Sequence, residues 1–170
     1  MNSFTEKQKF TQWWLWLILA GAVVIPIGIV IVTNKYNISQ TVLAAIISGA
    51  ALPASVMVLF RSFRLDTKYD ELGVSYRFFP LQVKMKNIPW ADVSKAYVRQ
   101  YKPLVEYGGW GIRHSLGNKG KAYNISGNMG LQLELKDGKG ILFGTQQPDQ
   151  IKATLVELVR ERKLDKAVIN

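Results

Sequence analysis

Apolar and polar positions divide the chain into two unlike parts. Residues 13–32 and 41–60 are runs of 20 residues without Asp, Glu, Lys, Arg or His. At 1.5 Å rise per residue each would span roughly 30 Å, the thickness of a bilayer's hydrocarbon core. A polar connector, residues 33–40, joins them. The pattern predicts a transmembrane helical hairpin. Pro26 and Pro53 each remove a backbone donor and predict a kink.

From residue 65 the period shortens to that of strands. Alternation predicts strands over 65–69, 74–79, 82–86 (Val83 and Met85 on one face), 95–101 (Ala96 or Tyr97 facing in), 122–126, 131–135 and 140–144. Turn residues separate them: Asp70-Glu71-Leu72-Gly73, the corner Ile88-Pro89-Trp90-Ala91-Asp92-Val93, Gly127-Asn128-Met129-Gly130 and Asp137-Gly138. Pro148 suits the first turn of a helix, and Ile151, Leu155, Leu158 and Val159 recur at helical spacing to about residue 163. Arg160, Arg162 and Lys163 fall to solvent and to the negative end of that helix's dipole. The expected fold class is α+β, divided as a lead (1–12), a two-helix hairpin (13–60) and a single small domain (61–170).

Charge gives the hairpin a direction. Lys7 and Lys9 precede the first apolar run, Lys35 lies in the connector, and Arg61 and Arg64 follow the second run with Lys68 close behind. The positive-inside rule then places both ends in the cytoplasm and the connector outside. Trp13, Trp14 and Trp16, with Phe60 and Phe63, fall at the cytoplasmic headgroup level and Tyr36 at the far side, where aromatic rings concentrate. The first run is too long for a signal-peptide core and lacks a small-x-small cleavage pattern, so an uncleaved anchor in a bacterial inner membrane is expected. No ionisable group lies within either run, which removes the residues that mark ion paths and proton relays.

The net charge of +10 comes mostly from residues 61–170, whose 19 Lys and Arg exceed 11 Asp and Glu by 8. Such a domain suits anionic headgroups. Its cations form no run of four or more, which fits a solvated surface and argues against nucleic acid. With no cysteine, thiol catalysis and zinc–thiolate sites are excluded.

The tail resembles the bacterial pleckstrin-homology-like (PH-like) domains of small membrane proteins. The likeness is carried by Asp70-Glu71-Leu72-Gly73-Val74, Ile88-Pro89-Trp90-Ala91-Asp92-Val93, Gly108-Gly109-Trp110-Gly111-Ile112-Arg113, Ala122-Tyr123-Asn124-Ile125-Ser126-Gly127, and Asp137-Gly138 before Gly144-Thr145-Gln146. It covers about residues 65–164, and Gly109-Trp110-Gly111-Ile112-Arg113 is its most specific element. The resemblance implies a small antiparallel β-barrel closed by one C-terminal helix, a membrane setting and no established catalytic residues.

Two sets of residues are candidates for contact. The glycines around Trp110 and Arg113 let backbone approach a ligand closely, so Trp110 could enter headgroups while Arg113, Lys119 and Lys121 take phosphate. The competing reading has Trp110 filling the barrel mouth and Arg113 paired with Glu106 or Asp92. On the second apolar run, Ala45 with Gly49 and Ala51 with Ser55 give a small-residue face for helix association, with the first helix as expected partner and a homo-oligomer as the alternative.

Gly117-Asn118-Lys119-Gly120-Lys121-Ala122 ends in Ala where a phosphate loop needs Ser or Thr. His114 is the only histidine; it leaves no metal cluster or triad and is either a loop side chain or a pH-sensitive contact beside Arg113. Asn37-Ile38-Ser39 fits a glycosylation acceptor in a connector too short to favour it. No cofactor is implied. The expected function is a non-enzymatic, membrane-anchored PH-like domain that binds a protein partner or anionic lipid at the cytoplasmic face; the alternative is an assembly or oligomerisation subunit without a ligand.

Overall fold

The computed structural model describes residues 3–33, 39–115, 117, 119–161 and 164–169. The chain forms two compact units, Phe10–Ser62 and the combination of Met1–Lys9 with Phe63–Asn170. Lys35, Tyr36, Asn37 and Ile38 of the connector, together with Arg162 and Lys163, lie outside the described residues.

In the first unit, α1 (Trp13–Thr33) and α2 (Gln40–Ser62) are both long and apolar enough to cross a membrane, and none of their residues is buried. Each helix continues through its proline, Pro26 or Pro53. They meet along half-buried stripes at helical spacing, including Val23, Ile27 and Val30 of α1 and Val42, Ile46 and Ala50 of α2. At the open end, the Phe10 and Phe60 rings meet edge to face 5.5 Å apart, and Trp16 Nε1 donates to the Phe10 carbonyl at 3.2 Å.

Among the described residues the second unit holds nine strands and two α-helices. Its first sheet runs in the order β1-β2-β3-β4, formed by β1 (Phe4–Lys9), β2 (Arg64–Asp70), β3 (Gly73–Phe79) and β4 (Lys86–Ile88). A 3-10 turn at Trp90–Asp92 leads to β5 (Val93–Gln100), and Trp90 Nε1 donates to the Asp70 carbonyl at 2.8 Å, pinning the corner beneath the β2–β3 turn. The second sheet is ordered β5-β8-β9-β7-β6, with α3 (Pro103–Tyr107), β6 (Gly111–His114), β7 (Lys121–Asn124), β8 (Met129–Leu135) and β9 (Gly140–Thr145) following in the chain. Every pair is antiparallel except β7 with β9. Among the described residues the strands divide between two sheets and no pairing closes them into a barrel.

Helix α4 (Pro148–Arg160) buries Ile151, Leu155 and Leu158 at i, i+4, i+7 and touches β1 and β2 of one sheet and β5 and β8 of the other. Tyr76 on β3 completes the join, its ring centroid 4.8 Å from those of both Tyr123 and Phe143.

Two departures from the sequence pattern stand out. The segment read as a third strand over 82–86 is a loop up to residue 85, and its Val83 and Met85 are exposed; pairing with β3 begins only at Lys86, opposite Tyr76. The polar lead is the strand β1, antiparallel to β2 from Phe4↔Tyr69 to Lys9↔Arg64. Its inward residues are Glu6 and Gln8. Glu6 accepts from the Thr145 hydroxyl at 2.7 Å and the Gln146 amide at 2.8 Å, and Gln8 Nε2 donates to the Gly144 carbonyl at 2.7 Å. Thus β1 is sewn to the end of β9 by buried polar contacts, the only way a carboxylate is tolerated there.

Candidate functional site: a basic cleft between the sheets

The residues singled out around the glycine-rich stretch separate to the two ends of the β6–β7 hairpin. At one end, Gly108 caps α3 in the left-handed region, and the chain turns sharply into β6. The Gly111 amide donates to Asn124 Oδ1 at 2.8 Å, and half-buried Trp110 donates through Nε1 to the Gly127 carbonyl at 3.0 Å. Arg113 folds back over this loop, Nε donating to the Trp110 carbonyl at 3.0 Å. Neither Glu106 nor Asp92 takes Arg113 as the expected pair.

Glu106 is instead held by Arg99 Nη2 and Lys119 Nζ, both 2.9 Å from Oε2, and by the Lys102 amide at 2.9 Å. Burial works against its ionisation, but the hydrogen bonds from Arg99, Lys119 and the Lys102 amide and the nearby Arg99 charge outweigh it and bring the carboxyl down to about 2. Arg99 also donates to Gln132 Oε1 and the Tyr107 hydroxyl. The hollow of about 450 Å³ over this cluster is lined by Tyr97, Arg99, Lys119 and Gln132, and its Arg99 and Lys119 charges are already paired with Glu106.

At the other end of the hairpin the arrangement differs. His114 and Lys121 are register partners, and with Lys86 and Lys139 they edge a cleft of about 760 Å³ whose floor is Tyr76, Tyr123 and Ile141. Ser115 and the backbone of Gly117, Gly120, Gly138 and Gly140 complete the wall. No carboxylate is among the described lining residues. Lys139 bonds to Asp137 just outside, at 2.7 Å, whereas Lys86 and Lys121 line the cleft from opposite sheets. Burial, then the hydrogen bond with Tyr123, push the Tyr76 phenol well above its ordinary range, so it stays a neutral donor.

Such a wall offers three ammonium groups, one of them paired with Asp137, an imidazole, phenol hydroxyls and an apolar floor: the donors an anionic ester would use. Of the residues expected to take phosphate, only Lys121 lines the cleft. Lys86 was missed because it reaches the site from β4 through its pairing with Tyr76, a relation no sequence spacing carries. Among the described residues no cluster of His, Asp and Glu could hold a metal ion.

Ala45, Gly49, Ala51 and Ser55 are each exposed, but at about 100° per residue the pair Ala45 and Gly49 lies about 120° around α2 from the pair Ala51 and Ser55, so they form two small-residue strips, the first flanking the stripe that meets α1. A Cβ added at Gly49 would meet no atom within 4 Å, so α1 does not cover Gly49. The Ser55 hydroxyl donates to the Ala51 carbonyl at 2.7 Å inside its own helix.

No family model matches the chain, and no curated protein matches it.

Proposed function

We propose that this chain is a non-enzymatic, membrane-anchored PH-like module that binds the phosphate-bearing headgroup of an anionic lipid at the cytoplasmic face of a bacterial inner membrane. The observation that supports ligand binding is the cleft between the sheets, where Lys86, Lys121 and His114 converge above Tyr76 and Tyr123. Two helices of membrane-crossing length support the anchoring, and two sheets bridged by a C-terminal helix support the PH-like comparison. Anchoring raises the local ligand concentration, so weak intrinsic affinity suffices.

The test is calorimetric titration of the full chain, in phosphatidylcholine nanodiscs, with short-chain phosphatidylglycerol. Each charge-assisted hydrogen bond contributes roughly 1.5–3 kcal/mol, so Lys86→Ala and Lys121→Ala should each weaken binding on the order of 10-fold or more, and salt should weaken it further. Unchanged affinity in the double variant sinks the lipid reading; binding retained only by a captured protein would favour a protein partner.

A second reading, an assembly subunit, draws on the exposed small residues of α2, Ala45 with Gly49 and Ala51 with Ser55. Crosslinking in native membranes separates the two, since a discrete homo-oligomer joined through α2 supports assembly.

A further inference from the structure

Strand register brings three points of the chain to one end of the first sheet. Lys9 pairs with Arg64, and Arg64 with Phe79. Lys9 and Arg64 are the strand residues on either side of the helical unit, and Arg64 follows Ser62, the last residue of α2, by two positions, a reach of about 7 Å at full extension. The loop 80–85 leaves Phe79 from that same end.

This loop carries its apolar side chains outward. Leu81 is 65% exposed, Val83 66% and Met85 47%. They alternate with Gln82, Lys84 and Lys86, and both lysines are exposed. The loop is nonetheless tied down: the Gln82 amide donates to the Phe78 carbonyl at 2.7 Å, and Arg77 Nη1 reaches the Val83 carbonyl at 3.4 Å. An exposed leucine is ordinary by itself. Three large apolar side chains within five residues, interleaved with lysines on a fixed loop, match the composition of segments seated at a membrane interface, where apolar groups enter the acyl boundary and ammonium groups rise to phosphates.

We propose that the loop 80–85 docks in the headgroup–acyl boundary of the bilayer, with Leu81, Val83 and Met85 inserted and Lys84 at lipid phosphate. The inference rests on the membrane-anchor reading. It goes further by fixing which end of the sheet unit lies against lipid, and it brings Lys86, where the loop enters β4 and edges the cleft, to the headgroup level.

Because the chain has no cysteine, single substitutions Leu52→Cys, Leu72→Cys and Val83→Cys take one nitroxide label each. Leu72 sits in the β2–β3 turn at the opposite end of the sheet and is 70% exposed, so it matches Val83 in exposure and differs in position. The full-length variants are reconstituted in vesicles of phosphatidylcholine and phosphatidylglycerol, and collision with oxygen, which favours lipid, is compared with collision with an aqueous nickel chelate. Val83→Cys should shift towards oxygen relative to Leu72→Cys, and Leu52→Cys should shift further. If Leu52→Cys is lipid-exposed while Val83→Cys is as aqueous as Leu72→Cys, the loop inference is overturned and the anchor stands. An aqueous Leu52→Cys overturns the anchor reading itself. A Leu72 label as lipid-exposed as Val83 also overturns the loop inference, because no particular end of the sheet would then face the bilayer.

Discussion

At the scale of single residues, Glu106 and Gly120 do the most with the least. The Glu106 carboxyl stands at about 2 in the fold against an ordinary 4.5. As pH falls, the unfolded chain takes up the proton first. The stabilisation is therefore complete above about 4.5 and disappears between 4.5 and 2. Glu106→Gln should lower stability at neutral pH by roughly 1–3 kcal/mol, by leaving Arg99 without its carboxylate, and should flatten the acid limb of the profile; denaturant unfolding followed by near-ultraviolet circular dichroism at several pH values reads both.

Gly120 has φ +79°, and a Cβ there would overlap the Gly140 carbonyl. Gly138 has φ +83° with open space around it. Gly120→Ala should cost roughly 2–4 kcal/mol, strain and overlap together, and Gly138→Ala only about 1 kcal/mol. Equal losses on unfolding the two variants would show that the crossing of residue 120 over β9 is looser than it looks. The sequence displays the glycines around this site but not which of them touch, since that depends on a parallel β7–β9 pairing formed between residues about 20 apart.

Among the elements, the two helices are legible from composition because nothing in 20 residues interrupts the apolar run, and α4 is legible because one face is apolar at a helical period. Strand β1 is not. Its inward positions are Glu6 and Gln8, so the alternation that betrays a strand is polar on both faces and reads as a solvated lead. The false third strand fails in the opposite sense: Val83 and Met85 alternate as if buried, yet face out. The short helix α3 leaves Leu104 and Val105 exposed, and five residues hold too little periodicity to be seen.

The hairpin makes its own prediction at this scale. Ala50 belongs to the stripe that meets α1, whereas Gly49 is exposed with open space beside it. Ala50→Leu should overpack the hairpin by about 1–3 kcal/mol. Gly49→Leu should leave it intact and remove any homo-oligomer that α2 forms, read by thermal unfolding in detergent and by crosslinking in membranes. An oligomer that survives Gly49→Leu would rule out the Gly49 strip as its contact.

For the whole molecule, the decisive relation is that β1 and β2 form an antiparallel pair whose connection is the entire helical unit. Lys9 and Arg64 oppose each other directly, so a two-residue Asn-Gly turn can join them. Replacing residues 10–63 by Asn-Gly should give a soluble sheet unit with the same circular dichroism in the β region; an unfolded or aggregated product would mean that the sheets depend on the helices for more than connection.

That same pairing bears on how a ribosome delivers the chain. If the helices cross a bilayer as proposed, Lys9 can meet Arg64 only when the second helix has returned to the side from which the first departed, so the ladder closes only in a chain threaded that way. A copy threaded wrongly would leave β2 with an open edge, and the Gly144 carbonyl and Thr145 hydroxyl without Gln8 and Glu6. In that setting an unclosed ladder would leave the misthreaded chain more open to proteolysis than the correctly threaded one.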